Sequence, residues 1–93
     1  MDLDKKITFA DTVFAQEVDG EMVLLDMDSE NYFGLDSVGS SIWSNIEACD
    51  GILKDVYEKL LQEYDVEPEV LQKDLNDFIQ KLQENGLVEV HKL

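Results

Sequence analysis

Gly20 to Trp43 reads GEMVLLDMDSENYFGLDSVGSSIW, and within it two short strand patterns pass through a polar turn and run into a helix start. The first strand pattern spans Glu21 to Met27 and is built on Met22, Val23, Leu24 and Leu25. Asp28, Ser29, Glu30 and Asn31 follow, with the short polar side chains that hydrogen-bond nearby backbone in turns. Tyr32 to Leu35 is a second, shorter strand, rich in aromatics and interrupted by Gly34. Asp36 or Ser37 can then cap a helix whose apolar positions Val38, Ile42, Trp43 and Ile46 recur every three or four residues. A strand of this kind, with helices after it, offers unused backbone donors and acceptors beside apolar side chains. That arrangement suits the binding of an extended peptide.

Upstream, Thr12 to Val18 has the β-branched and aromatic content of a strand, and Asp19-Gly20 is the two-residue sequence of a type I′ hairpin turn. Lys5 to Ala10 is a lead-in with little pattern, in which Ile7 and Phe9 tuck against the sheet. Downstream, Asp50-Gly51 ends the first helix, and Ile52, Leu53, Val56, Tyr57, Leu60, Leu61 and Tyr64 form the apolar stripe of a second. Glu67-Pro68-Glu69 opens a third helix, with proline at its start and acids at the positive end of its dipole. Its stripe is Val70, Leu71, Leu75, Phe78, Ile79 and Leu82, and Asn85-Gly86 supplies the C-cap. Leu87 to Val90 can add a short strand. The expected fold is α+β and winged-helix-like: a three-stranded antiparallel sheet, three helices and a short strand-like C-terminal tail. We expect one domain over residues 1–93, with lead-in 1–11, sheet 12–35, helices 37–85 and tail 87–93.

Charge restricts the partners. Twenty-two acidic residues face seven lysines, and the formal net charge is −15. There is no arginine, so the planar fork that grips phosphate or guanine is missing. A helix-turn-helix DNA reader should present cations on its recognition helix. The third helix here offers Lys73 and Lys81 against Glu69, Asp74, Asp77 and Glu84, and nucleic acid is not expected as a partner. Repulsion between like-charged copies favours a monomer. The acidic N-terminus, Met1 to Lys6, opens no apolar signal region, and no apolar run approaches the roughly 20 residues of a membrane span. A cytoplasmic protein without membrane contact is expected.

Catalytic chemistry finds no foothold. Cys49 has no neighbouring histidine, His91 is a lone histidine in the tail, and Trp43 reads as a core anchor of the first helix. Asp26 to Glu30 lacks the glycine and the closing glutamate of a calcium loop. No phosphate loop or nucleophile elbow is present, so neither cofactor nor metal is expected.

Several spaced motifs together resemble the PqqD-like family. They are Val18 to Asp26 (VDGEMVLLD), Tyr32 to Asp36 (YFGLD), the pair Ile42-Trp43, Leu61 to Val66 (LQEYDV), and the close from Asp74 through Phe78 and Leu82 to Gly86-Leu87-Val88. The resemblance covers about residues 12 to 90. It implies a RiPP recognition element, a non-catalytic peptide chaperone that binds the leader segment of a ribosomally made precursor peptide. Such proteins present the leader to a modifying enzyme, a radical SAM protein in PQQ biosynthesis or a leader peptidase in lasso-peptide pathways. The resemblance further implies that the leader adds a strand to the third strand of the sheet, beside the third helix. On this chain that assigns Asn31, Tyr32, Phe33, Gly34 and Leu35 from the strand, and Leu71, Asp74, Leu75, Phe78 and Lys81 from the helix. Pattern alone leaves Leu71, Leu75 and Phe78 as either core or groove, and Gly34 as either a binding position or a simple bulge. The alternative readings are a winged-helix transcriptional regulator and an unrelated protein-interaction module.

Overall fold

The structure, a computed structural model, describes residues 3–93; Met1 and Asp2, and with them part of the acidic N-terminus, lie outside the described residues. Three strands form the first sheet in the order β2 (Val13–Val18), β3 (Glu21–Asp26), β4 (Asn31–Gly34), all antiparallel. Asp19 and Gly20 join β2 to β3 with φ of 53° and 82°, the left-handed pair that a type I′ turn requires. This turn fixes the register at Val18 opposite Glu21, and that register sends Leu24 fully into the core.

Helices α1 (Ser37–Ala48), α2 (Leu53–Glu63) and α3 (Pro68–Glu84) follow. Asp36 caps α1, its Oδ1 accepting from the Gly39 N–H at 2.7 Å. Pro68 opens α3. Gly86 ends it in a Schellman turn, with φ of 71° and the Leu87 N–H donating to the Leu82 carbonyl at 2.9 Å. The inward stripes of the helices, including Ile42, Trp43, Ile46, Val56, Leu60, Leu75, Ile79 and Leu82, meet Leu24 in one core. Val38 and Val70, which the periodicity assigned to the apolar stripes, sit in the first turns of their helices and are exposed.

The C-terminal tail is a strand as expected, whereas the N-terminal segment differs from expectation. Lys5–Phe9 is a strand, β1, and pairs antiparallel with β5 (Val88–Lys92) in a separate two-stranded sheet with Ile7 opposite Val90. The segment read as an unpatterned lead-in does carry a two-residue alternation, with Ile7 buried and Lys6 exposed, but its partner lies some 80 residues away in sequence. A pairing that distant leaves no local signature. Phe9 stacks on Trp43 with ring centroids 4.3 Å apart, and Thr8 Oγ1 meets His91 Nε2 at 2.9 Å across the β1–β5 pair.

Candidate functional site

β4 is an edge strand, and its hydrogen-bond parity decides which groups it leaves unused. The Leu35 N–H donates to the Met22 carbonyl at 2.9 Å, just beyond the last paired residues of β3 and β4. Hydrogen-bonded and non-hydrogen-bonded pairs alternate along an antiparallel ladder, so Phe33 and Asn31 also face β3. Tyr32 and Gly34 therefore turn their N–H and C=O groups toward the open edge. No further strand pairs with them among the described residues.

Two local devices hold this edge in place. At one end, the Asp26 carboxylate accepts from the Asp28 N–H (3.0 Å) and from Ser29 Oγ (3.1 Å), pinning the turn from β3 into β4. Chiefly the Asp28 bond, with help from Ser29, holds the Asp26 carboxyl below its ordinary pKa, because both bonds favour the ionised form. At the other end, the buried Ser40 hydroxyl accepts from the Met22 N–H at 2.8 Å and donates to the Leu35 carbonyl at 3.2 Å. It completes the last rung of the β3–β4 ladder and ties that rung to α1.

Beside the open edge runs a groove of about 450 Å³, lined by Tyr32, Phe33, Gly34, Leu35, Asp36, Phe78, Lys81, Leu82, Asn85 and Leu87. One wall is β4 and the opposite wall is the C-terminal half of α3. Of the residues assigned from the sequence, Tyr32, Phe33, Gly34, Leu35, Phe78 and Lys81 meet here. Asn31 is exposed at the start of β4, outside the lining. Leu71 and Leu75 belong to the core, Leu75 with no exposed surface, and they give the groove no side chain. Asp74 is exposed one turn before Phe78 and also lies outside the lining. Tyr32 and Phe33 point to opposite faces of β4: Tyr32 is 73% exposed, while Phe33 packs against the core.

The structure adds four residues that the sequence reading left out: Asp36, Leu82, Asn85 and Leu87. Leu82 and Asn85 lie four and seven positions after Phe78, on the same helical face, so the spacing signal was present in the sequence. The floor is apolar. The cation is Lys81, which enters no ion pair among the described residues; the pairs found there are Lys73 with Asp77 and His91 with Glu89. No group of three or more His, Cys, Asp or Glu side chains is placed to hold a metal ion among the described residues. Nor is any described helix long and apolar enough to cross a membrane.

The model of the family described as coenzyme PQQ synthesis protein D (PqqD) matches residues 21–88. The chain belongs to the PqqD family. The match runs from the first residue of β3 through the first residue of β5, and so takes in both walls of the groove. Among solved structures, this PqqD-family chain is similar to one described as TbiB1 in complex with the TbiA(beta) leader peptide. The two share 36% identity over 87% of this chain and 93% of that one, with a TM-score of 0.81. It is also similar to a lasso peptide synthetase B1 complexed with the leader peptide, at 26% identity over 90% of this chain and 98% of that one, with a TM-score of 0.75. No curated protein sequence matches significantly.

Proposed function

We propose that this chain is a non-catalytic peptide chaperone, acting as one domain, that binds the leader segment of a ribosomally made precursor peptide and presents it to a modifying enzyme. The observation that carries the reading is the open edge of β4 facing the apolar groove. An extended leader laid against β4 would pair with the N–H and C=O groups of Tyr32 and Gly34, four backbone hydrogen bonds that do not depend on the peptide's sequence. At a net ~0.5–1.5 kcal/mol each they amount to roughly 2–6 kcal/mol. A micromolar complex needs about 8 kcal/mol after the cost of ordering the peptide, so backbone pairing alone falls short. A large apolar side chain inserted between Phe33, Leu35, Phe78 and Leu82 would bury about 150–250 Å² and add roughly 4–6 kcal/mol. Affinity thus requires both elements, and selectivity resides in the pocket.

Both similar structures carry leader peptides, and this supports the reading. The modifying enzyme, a radical SAM protein or a leader peptidase, is part of the proposal, as is a cytoplasmic location, where ribosomes make the precursor. Titrating labelled leader peptides of candidate precursors should give saturable binding by one of them, with no binding by the remainder of that precursor. Saturable binding of duplex DNA at low salt, where repulsion from the −15 chain is least screened, would instead favour a nucleic-acid regulator.

A further inference from the structure

The three-stranded sheet has one face on the core and one in solvent, and the solvent face carries an apolar patch beside Gln16 and Glu21. Residues directly opposite across an antiparallel pair share a face, so the register sets Phe14, Leu25 and Tyr32 in one row across β2, β3 and β4. Val23 and Val18 extend the patch along the strands, and Met27 continues it past the end of β3. Phe14 is 62% exposed, Met27 56% and Val18 47%, so no helix among the described residues covers them. A solvent face on an antiparallel sheet is ordinarily polar, and a contiguous apolar patch of this kind marks an interaction surface.

The surrounding charge identifies the partner. Residues 7 to 53 contain no lysine or arginine, whereas Glu21, which lies opposite Val18 on this face, and Asp19 and Asp28 in the flanking turns stand exposed around the patch. A second copy of the chain would bring an equally acidic rim against this one, with −15 on each copy. The complementary occupant is a protein with an apolar surface ringed by lysine and arginine. Tyr32 places that occupant next to the groove, because it belongs to the row on the outer face and also lines the groove.

We infer that the outer face of the β2–β3–β4 sheet, centred on Phe14, Leu25 and Tyr32, docks the basic-rimmed enzyme that acts on the peptide held along β4. The inference rests on the leader-binding reading and gives the two partners adjoining surfaces that meet at Tyr32: one sheet edge for the peptide, one sheet face for the enzyme. Docking on the face would bring the enzyme to the peptide while leaving the open edge free for the leader. The acidic rim would raise the association rate, and salt would lower it.

The test uses the full chain, a labelled leader peptide that it binds and the purified enzyme that processes that leader. Phe14→Ser combined with Met27→Ser changes two exposed side chains remote from the groove lining. The double variant is expected to keep the wild-type melting temperature and to bind the leader within twofold of wild type, while losing at least tenfold in affinity for the enzyme. Glu21→Lys with Asp28→Lys should slow association with the enzyme and flatten its salt dependence. Enzyme binding by Phe14→Ser/Met27→Ser equal to wild type would overturn the proposal, as would failure of the leader-loaded wild-type chain to bind the enzyme. Concentration-dependent dimerisation abolished by the same double variant would also overturn it, by assigning the face to a second copy. Failure of the wild-type chain to bind the leader strikes the function proposed above and is read separately, in the leader titration.

Discussion

Phe78 lies against Gly39 so closely that a methyl group on Gly39 would stand 3.1 Å from Phe78 Cε2. The same methyl would stand 3.2 Å from the capping oxygen of Asp36 and 3.4 Å from Leu35 Cβ. The absent side chain at Gly39 is thus what lets α3 set its aromatic ring against the start of α1, where the ring forms part of the groove wall.

Gly39→Ala should therefore move the Phe78 ring toward the groove. Alanine favours the helix by up to ~1 kcal/mol over glycine, which offsets part of the strain, so the melting temperature should change little. Leader affinity should fall about fivefold or more. Titration calorimetry set beside thermal melts would show the two effects separated.

Phe78 is only partly buried, so Phe78→Ala should cost less than the ~3–5 kcal/mol of a fully buried phenylalanine. A loss of about 1–3 kcal/mol in urea unfolding is expected, together with at least a tenfold loss in leader affinity. A large stability loss with unchanged affinity would make Phe78 a core residue alone.

Proline separates the two sides of β4. The Gly34 N–H faces the open edge, whereas Asn31 faces β3 and its N–H already meets Ser29 Oγ at 3.4 Å. No atom lies within 4 Å of a Cβ built on Gly34. Gly34→Pro should leave the β3–β4 ladder intact and remove a donor needed by an added strand, so leader binding falls while the melt stays close to wild type. Asn31→Pro should lower the melting temperature by disturbing the turn and the ladder.

Asp26 links the edge to pH. Its folded-state pKa is lowered, so its contribution is fully present above the unfolded value and is lost as the pH falls through the folded value, which lies below the ordinary 3.8. Stability from this carboxylate should be flat from neutral pH to about pH 5 and decline in the acid range below 3.8. Asp26→Asn should be less stable at pH 7 and should lose that part of the acid dependence. Urea melts of both proteins across pH 2.5–7, a range of about 4.5 units, would measure the difference.

Gly51 turns between α1 and α2 with φ of 78°, and a side chain there would collide with the Ile7 carbonyl oxygen. Its own carbonyl accepts from the Ile7 N–H at 2.8 Å. Gly51→Ala should cost at least ~2 kcal/mol and loosen β1 from the helices. Leader affinity, measured well below the melting temperature, should be unchanged.

What the sequence revealed follows the range of each physical signal. The β2–β3 hairpin was legible because Asp19-Gly20 admits few other turns, and the caps at Asp36 and Gly86 were legible because they act within one helical turn. The β1–β5 pair was not, since its hydrogen bonds join the two ends of the chain. The groove was half legible. Tyr32 to Leu35 fixed one wall, but a helical stripe does not say which of its turns meets the strand. The crossing of α3 past β4 puts Phe78, Lys81, Leu82 and Asn85 at the edge and leaves Leu71 and Leu75 in the core. The apolar outer face was not read from the sequence, because its continuity depends on the register that pairs Phe14 with Leu25 and Leu25 with Tyr32.

Amide hydrogen exchange followed by NMR, with and without the leader peptide, tests strand addition to β4 most directly. Phe33 already faces β3, whereas Tyr32 and Gly34 face solvent in the free protein. Leader binding should therefore slow exchange at Tyr32 and Gly34 and leave Phe33 nearly unchanged, with shift changes at Phe78 and Lys81 across the groove. Protection gained along β2 or α2, with the Tyr32 and Gly34 amides exchanging as before, would contradict the account.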